Sequence, residues 1–224
     1  MKPRGLSHAD VETFYDAFGA RQDGAGYYED VTLAELKRFA KFESATSIVE
    51  FGCGTGRFAE EMLSLSSVSY WGCDVSATMI ELSRSRLAKF GERVTLLKSS
   101  GETKLPLQDE SCDRFVSNYV LDILSADEIE SVLGEAQRIL KPNGLLCLTG
   151  LTFGEGLFSK AWTAFWNLRF DLNPKWVGGC RPVALTGFLS GWKLVHRNVL
   201  TVRGISSEVV VAKKRPLVAS NGNN

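Results

Sequence analysis

Ser47-Ile48-Val49-Glu50-Phe51-Gly52-Cys53-Gly54-Thr55-Gly56-Arg57-Phe58 is the stretch that decides the fold. Ile48, Val49 and Phe51 predict a short buried strand, glycines follow at 52, 54 and 56, and Phe58 to Leu65 predicts a helix. A strand that turns through glycines into a helix start is a built-in ligand site. Glycine reaches positive φ at little cost and lets a ligand approach the backbone, and the first helical N–H groups are unpaired. A dinucleotide turn reads G-x-G-x-x-G and seats a pyrophosphate on the helix N-terminus. Here the spacing is G-x-G-x-G, with Arg57 at the position of the third dinucleotide glycine. Glu50, two residues before the first glycine, would repel a pyrophosphate and suit a cationic ligand.

The 224 residues are 44% hydrophobic and 23% charged, an ordinary globular composition whose length suits one large α/β domain. Lys+Arg and Asp+Glu both total 26, so the basic excess that marks nucleic-acid binding is missing and no nucleic-acid partner is expected. No apolar run approaches the roughly 20 residues that span a bilayer, and Met1-Lys2-Pro3-Arg4-Gly5 is not followed by an apolar signal core. The five cysteines (53, 73, 112, 147, 180) form no C-x-x-C pair. Neither a metal site nor a disulfide framework is indicated, and a reducing, cytoplasmic compartment is expected.

Two helices are expected before the first strand. Ser7 to Phe18 carries an apolar stripe of Val11, Phe14, Tyr15 and Phe18, with Ser7 as N-cap, and Asp30 to Phe42 turns Leu33, Leu36, Phe39 and Ala40 inward. Gly19 to Gly26 reads as a polar break. Val68 to Asp74 is the second strand, and it ends in an acid about twenty positions beyond the glycines, where a carboxylate can accept from both ribose hydroxyls of a nucleoside. Ser76 caps a helix running to Phe90, Arg93 to Lys98 is the third strand, and Cys112 to Tyr119 the fourth. Ala126 to Leu140 is helical, Lys141-Pro142-Asn143-Gly144 reads as a turn, and Leu145 to Thr149 is the fifth strand. A short helix over 182–190 and a hairpin of Trp192–Leu200 with Ser206–Ala212 follow, and the polar end of the chain, from Lys213 on, reads as a disordered tail. The expected architecture is α/β: a doubly wound seven-stranded sheet, mostly parallel with a late antiparallel hairpin, and helices on both faces.

The same residues, in register, resemble a family. The glycine turn with Glu50, the run Asp74-Val75-Ser76-Ala77-Thr78-Met79, the Gly101 to Leu107 segment, the strand end at Ser117-Asn118 and the Lys141-Pro142-Asn143-Gly144 connection resemble the class I S-adenosylmethionine (SAM)-dependent methyltransferases, within the broad group that includes the ubiquinone and menaquinone biosynthesis enzymes. The resemblance covers residues 46–150. It implies SAM as donor and S-adenosylhomocysteine as product, with Glu50, Gly52, Cys53, Gly54, Gly56, Asp74, Val75, Met79, Gly101, Glu102, Asn118 and Tyr119 around the cofactor. The aspartate that usually meets the adenine amino group is missing, and Ser100, Gly101 or Glu102 must replace it. Tyr119 and Asp122 are the candidates for moving a proton near the methyl group. Within a single domain over 1–214, residues 1–45 form a helical lid carrying Tyr15, 46–150 the SAM-binding core, 151–182 the substrate cap, and 183–214 the final helix and hairpin, leaving 215–224 as tail.

The cap is the least generic stretch. Phe158, Ala161, Trp162, Phe165 and Leu168 share one helical face, and Trp166 and Phe170 widen the apolar arc. Such an arc packs as core, lines an apolar pocket or touches a membrane surface. Trp162, Trp166 and Cys180 are the candidate acceptor contacts. The expected function is methyl transfer to a small apolar acceptor such as a phenol or quinone, a thiol, a lipid headgroup or a natural product. A catalytically silent SAM-binding scaffold and a nicotinamide-dependent oxidoreductase are the alternatives.

Overall fold

A computed structural model of the chain describes residues 6–215. Seven strands form one sheet in the order β3-β2-β1-β4-β5-β7-β6. These are β1 (Ser47–Phe51), β2 (Ser69–Asp74), β3 (Val94–Lys98), β4 (Cys112–Asn118), β5 (Leu140–Leu151), β6 (Trp192–Val202) and β7 (Ile205–Lys214). β1 pairs in parallel with both β2 and β4, so strand order reverses beside it, and a crevice opens at the carboxyl ends of β1 and β4. β7 enters antiparallel against β5, and β6 closes the edge. Arg203 and Gly204, at φ 50° and 89°, form the two-residue turn of that hairpin, the left-handed pair that matches the twist of adjoining strands.

Helices cover both faces. The buried apolar stripe of α5 (Ala126–Ile139), with Ile129, Val132, Leu133 and Ala136, packs on one side with Phe115 and Leu146. Ser125 and Glu128 form a complete capping box at its start. On the other side, α2 (Gly26–Ala40), α3 (Arg57–Leu65) and α4 (Ala77–Leu87) bury Leu36, Met62 and Ile80 against Ile48 and Tyr70. Each such fully buried aliphatic side chain contributes roughly 1.5–3 kcal/mol relative to exposure. α1 (His8–Phe18) and α6 (Leu157–Leu172) sit over the crevice end, and α1 carries no fully buried residue.

Several expected boundaries move, for local reasons. α2 begins at Gly26 rather than Asp30, because the polar 19–25 segment is a 3-10 turn that runs straight into it. Asp23 in that turn is tied down by Thr55 Oγ1 at 2.6 Å and Arg86 Nη2 at 2.5 Å. α4 stops at Leu87, and a 3-10 stretch with Gly91 at φ 57° leads to β3. Lys141-Pro142-Asn143-Gly144 is not a free turn: β5 starts at Leu140, and the pairing jumps from Cys112↔Leu140 to Arg114↔Leu145, so these residues bulge within the strand. The helix expected over 182–190 is only a 3-10 turn at Leu185–Phe188. β7 runs to Lys214, so the expected tail begins too early at Lys213; the part of it beyond residue 215 lies outside the described residues.

Candidate active site

The glycine turn is held from behind. Gly52 and Cys53 donate to the Cys73 carbonyl, each at 2.9 Å, which docks the turn on the end of β2. Gly52, at φ 80°, has no room for a Cβ, which would stand 2.2 Å from Val120 Cγ2. Gly56, at φ 77°, faces α4, with Ser83 Oγ at 2.6 Å from a built Cβ. Gly54 differs: at φ 51° nothing lies within 4 Å of its Cβ position. Among the three, Gly54 is the one whose side-chain position is open space.

That space is a cavity of about 840 Å³, its open mouth included, lined among others by Gly52, Gly54, Asp74, Val75, Met79, Gly101, Asn118 and Tyr119. Asp74 sits at the end of β2 and accepts from Gly54 N and Ser76 N, both at 2.9 Å. Burial raises its carboxyl, and those backbone donors from Ser76 and Gly54 act against the rise. Tyr15 reaches the cavity from α1, beside His8 and Val11 of the same helix.

Four of the residues expected around the cofactor, Glu50, Cys53, Gly56 and Glu102, stand back from this cavity, Gly56 because it faces α4. Glu50 is buried, accepting from Tyr70 Oη at 2.5 Å and Asn118 Nδ2 at 3.0 Å. Burial pushes it up to about 8, so it orients Asn118 rather than offering a free carboxylate. Cys53 lines a smaller recess behind the turn. Glu102 is exposed, with its carboxylate accepting from Ser100 N at 2.7 Å in its own loop. The structure therefore brings Gly101, not the Glu102 side chain, to the cavity wall, and the short loop explains it: the carboxylate folds back two residues.

A second cavity of about 1110 Å³ adjoins the first, sharing Tyr15, Gln22 and Tyr119. It collects Trp162, Trp166 and Cys180 with Asp122, and adds Tyr28, Glu29 and Trp176. Tyr119 stands at the junction with φ 55°, a left-handed conformation that few non-glycine residues adopt, and shares a 2.6 Å hydrogen bond with Thr32 Oγ1 of α2. Trp166 Nε1 donates to the Cys180 carbonyl at 2.9 Å, and its ring lies tilted against Trp162 with centroids 6.3 Å apart. Burial pushes the Cys180 thiol up to about 12, so it is no thiolate.

Asp122 is fully buried in this wall, and neither carboxylate oxygen has a hydrogen-bond partner. The N–H groups of Asp122 and Leu151 face it without reaching hydrogen-bonding geometry, and burial raises it to about 7. The nearby cation, Arg181, spends its donors on the carbonyls of Asp122 and Leu124.

The apolar arc of α6, open from the sequence between core, pocket and membrane contact, is divided, and most of its first face is turned to solvent. Phe158, Phe165 and Leu168 are 71%, 48% and 56% exposed, and within the helix only Ser159 and Phe170 are buried. The arc is too broad for one contact, so the edge with Trp162 and Trp166 meets the cavity and the rest does not. His196, a lone strand histidine, stacks on Phe39 at 3.5 Å and meets Glu35 Oε1 at 2.9 Å, away from both cavities. Sequence reading did not reach Gln22, Val120, Ile123 or Glu29. Gln22 sits in the break whose fold was not legible, and Glu29 in the first turn of α2, ahead of the Asp30 start expected for that helix; the other two follow β4 and could have been found from topology alone.

The strand order, with its antiparallel β7 and the glycine turn at the β1 end, is that of the class I SAM-dependent methyltransferase fold. Residues 48–144 match the family described as Methyltransferase domain. A curated relative, tRNA N(3)-methylcytidine methyltransferase Mettl2 of Drosophila melanogaster, is 30% identical over 152 residues, 61% of this chain and 46% of its own length. Ubiquinone/menaquinone biosynthesis C-methyltransferase UbiE of Desulfotalea psychrophila is 29% identical over 147 residues, 62% of this chain and 57% of its own. The solved N-methyltransferase NodS from Bradyrhizobium japonicum, in complex with S-adenosylhomocysteine, superposes with a TM-score of 0.71 at 14% identity, covering 92% of this chain and 100% of that one. The matched part amounts to between 29% and 57% of the length of these curated relatives. These relatives include tRNA, ribosomal-protein and quinone methyltransferases, so the quinone subgroup is one resemblance among several. No helix among the described residues is long and apolar enough to cross a membrane.

Proposed function

We propose that the chain is a methyltransferase that uses SAM to methylate a small, largely apolar acceptor held in the second cavity. The observation that carries this reading is the pair of adjoining cavities, one built on the glycine turn and Asp74, the other on aromatic rings, meeting at Tyr15 and Tyr119. The cofactor fits the first on its own terms: the open position at Gly54 is a cradle a Cβ would fill, and the strand-end carboxylate stands beside it. Bound SAM supplies an electrophilic methyl group on a sulfonium sulfur. The chain supplies placement, which can carry much of the rate enhancement in such a transfer. Asp74 would accept from the ribose hydroxyls, Val75, Met79 and the Gly101 backbone would take the adenine side, and Asn118, fixed by Glu50 and Thr149, would serve the reacting end. Asp122 takes a proton where the acceptor must lose one.

Calorimetry with SAM, followed by detection of S-adenosylhomocysteine released with a panel of small acceptors, tests the reading. SAM binding without release on any acceptor favours a silent scaffold. Binding of NADH instead favours an oxidoreductase, against which stands the use of Arg57 to hold Glu29 at 2.9 Å and Asp30. The zero net charge supports a small molecule over RNA, and turnover of tRNA would reverse that.

Trp166→Ala should raise the Michaelis constant for the acceptor by about tenfold, the loss of one aromatic wall, and leave the Kd for SAM within about twofold. A half-buried ring predicts a modest fall in Tm. A core role would instead remove roughly 3–5 kcal/mol of stability and affect both ligands together, so Tm and both constants are read on one variant.

The segment through α1 and the following turn is proposed as a lid. It walls the first cavity through His8, Val11 and Tyr15, and polar ties hold it: Asp16 to Ser76 at 2.5 Å, Glu12 to Lys98 at 2.7 Å and Asp23 to Arg86. Ties of this kind, all at least partly open to solvent, are individually weak and let a segment open. Amide exchange over residues 7–28 should slow on adding S-adenosylhomocysteine. Protection confined to the glycine turn would count against a lid.

A further inference from the structure

The acceptor cavity has a charge pattern that its apolar character hides. Its walls carry two acidic side chains, Glu29 and Asp122, and no lysine, arginine or histidine. Glu29 is already answered by Arg57 at 2.9 Å and Gln22 at 3.2 Å. Asp122 has no hydrogen-bond partner: both oxygens are buried without one, the N–H groups of Asp122 and Leu151 only face it, and Arg181, although its charge favours the carboxylate, gives its hydrogen bonds to backbone carbonyls. A buried, unpaired carboxylate is costly, and natural interiors retain one where a ligand or a proton completes it. Around it stand rings from α1, α2 and α6, among them Tyr15, Tyr28, Trp162 and Trp166. The charge of Asp122 reaches Tyr15, Tyr28, Tyr119, Glu29 and Cys180, raising the proton affinity of each. Electron-rich ring faces backed by a carboxylate that has no hydrogen-bond partner form the setting in which cations are held. Arginines already stack on rings at the rim, Arg203 on Tyr27 and Arg169 on Trp176, while no such stacking is recorded, among the described residues, on Tyr15, Tyr28, Trp162 or Trp166.

From the aromatic cavity with the unpartnered Asp122 in its wall, we infer that the acceptor is an amine, bound as an ammonium ion and methylated on nitrogen. The inference rests on the methyltransferase reading and narrows it. The ammonium supplies the missing hydrogen-bond donor and counter-charge to Asp122. One N–H proton passes to the Asp122 carboxylate and frees a lone pair on nitrogen. That pair forms the N–C bond as the C–S bond of the sulfonium breaks with its electrons remaining on sulfur. The products are an N-methylammonium ion and S-adenosylhomocysteine, and Asp122 returns its proton to solvent when the product leaves. Acceptors carrying phosphate or carboxylate near the reacting atom are disfavoured, because no cation in this wall would meet them.

Quenching of tryptophan fluorescence tests cation recognition without turnover. The probe is benzyltrimethylammonium, which can be neither deprotonated nor methylated, against its uncharged isostere neopentylbenzene, at pH 8 and with S-adenosylhomocysteine present. The cation should bind at least about tenfold tighter. Asp122→Asn should shrink that preference to about threefold or less while leaving the isostere's affinity and S-adenosylhomocysteine binding unchanged. Equal binding of the two probes by the wild type, or an undiminished preference in the variant, overturns the amine assignment. Should Asp122→Asn fold poorly, Trp166→Phe, which keeps an aromatic face, must retain the preference, and its loss there would also count against the cage. Failure of S-adenosylhomocysteine to bind the wild type would instead reject the methyltransferase reading itself, so the two failures are distinguishable.

Discussion

Gly54→Val should abolish measurable SAM binding in a protein that still folds, and Asp74→Ala should weaken binding severely. Gly54 is the one glycine of the turn with empty space beyond its Cβ position, so a valine side chain would project into the first cavity rather than into the protein. Its φ of 51° adds a conformational cost of roughly 1–2 kcal/mol for a β-branched residue. Loss of at least about a hundredfold in affinity is expected from a side chain occupying the ligand's place. Asp74→Ala removes the acceptor for the ribose hydroxyls, worth about 1–3 kcal/mol in a site closed to water. It also unpins the turn, since Asp74 holds Gly54 N and Ser76 N. Gly56→Val is the contrast. Its Cβ would stand 3.2 Å from the Ser83 backbone, so that variant should lose stability before it loses affinity. Calorimetry with circular dichroism on all three separates the two glycine roles. Parent-like binding by folded Gly54→Val and Asp74→Ala would reject the cofactor site.

Asp122→Asn should raise Tm at pH 8 while removing most turnover. Burial raises the Asp122 carboxyl from 3.8 to about 7. Between those values the folded chain holds a proton that the unfolded chain has released, so stability falls as pH rises through that window. Below about pH 4 the group is neutral in both states and contributes nothing; above about 7 the penalty is complete, at most roughly 4 kcal/mol. Asparagine keeps the shape and cannot ionise. The variant's advantage should therefore be largest at pH 8 and disappear near pH 4. Glu50, raised to about 8, is common to both proteins and cancels in the difference, whereas Glu29, raised to about 7 in part by the Asp122 charge, is relieved by the substitution and adds to the variant's advantage. Arg181 and the rings of Tyr15, Tyr28 and Tyr119 also face the group; the phenols stay neutral at pH 8 with or without the Asp122 charge, while Arg181 loses its attraction to it, which opposes the gain. A variant that is less stable than wild type at pH 8 would mean that the carboxylate has a partner. Stability gained with function lost is the usual mark of a strained functional group.

The core of the fold was legible because its signals are local. Ile48, Val49 and Phe51 ahead of three spaced glycines specify strand, turn and helix within twelve residues, and Asp74 then falls at the next strand end by topology. The order of the late hairpin followed from two apolar runs around Arg203-Gly204. What failed depends on distant partners. Glu102 could be read as facing a ligand only until its loop showed it folded onto Ser100 N. The role of Arg57 as the tie to Glu29 and Asp30 joins α3 to α2, and no spacing rule announces it. The apolar arc of α6 gave its breadth but not its orientation, because the choice between Phe165 and Trp166 as the inner residue is made by the cavity it meets. The empty hydrogen-bonding capacity of Asp122, which carries most of the chemistry argued above, is a property of its surroundings alone.

The central claim is that the two adjoining cavities transfer a methyl group from SAM to a small acceptor. Its most direct measurement is release of S-adenosylhomocysteine by the wild type with matched aromatic amines, phenols and thiols, quantified alongside the methylated product, with Gly54→Val as the control. The account predicts one equivalent of S-adenosylhomocysteine per methylated product, highest with the amines and absent in Gly54→Val. Tight binding of SAM with no release above the Gly54→Val background on any of these acceptors would contradict it.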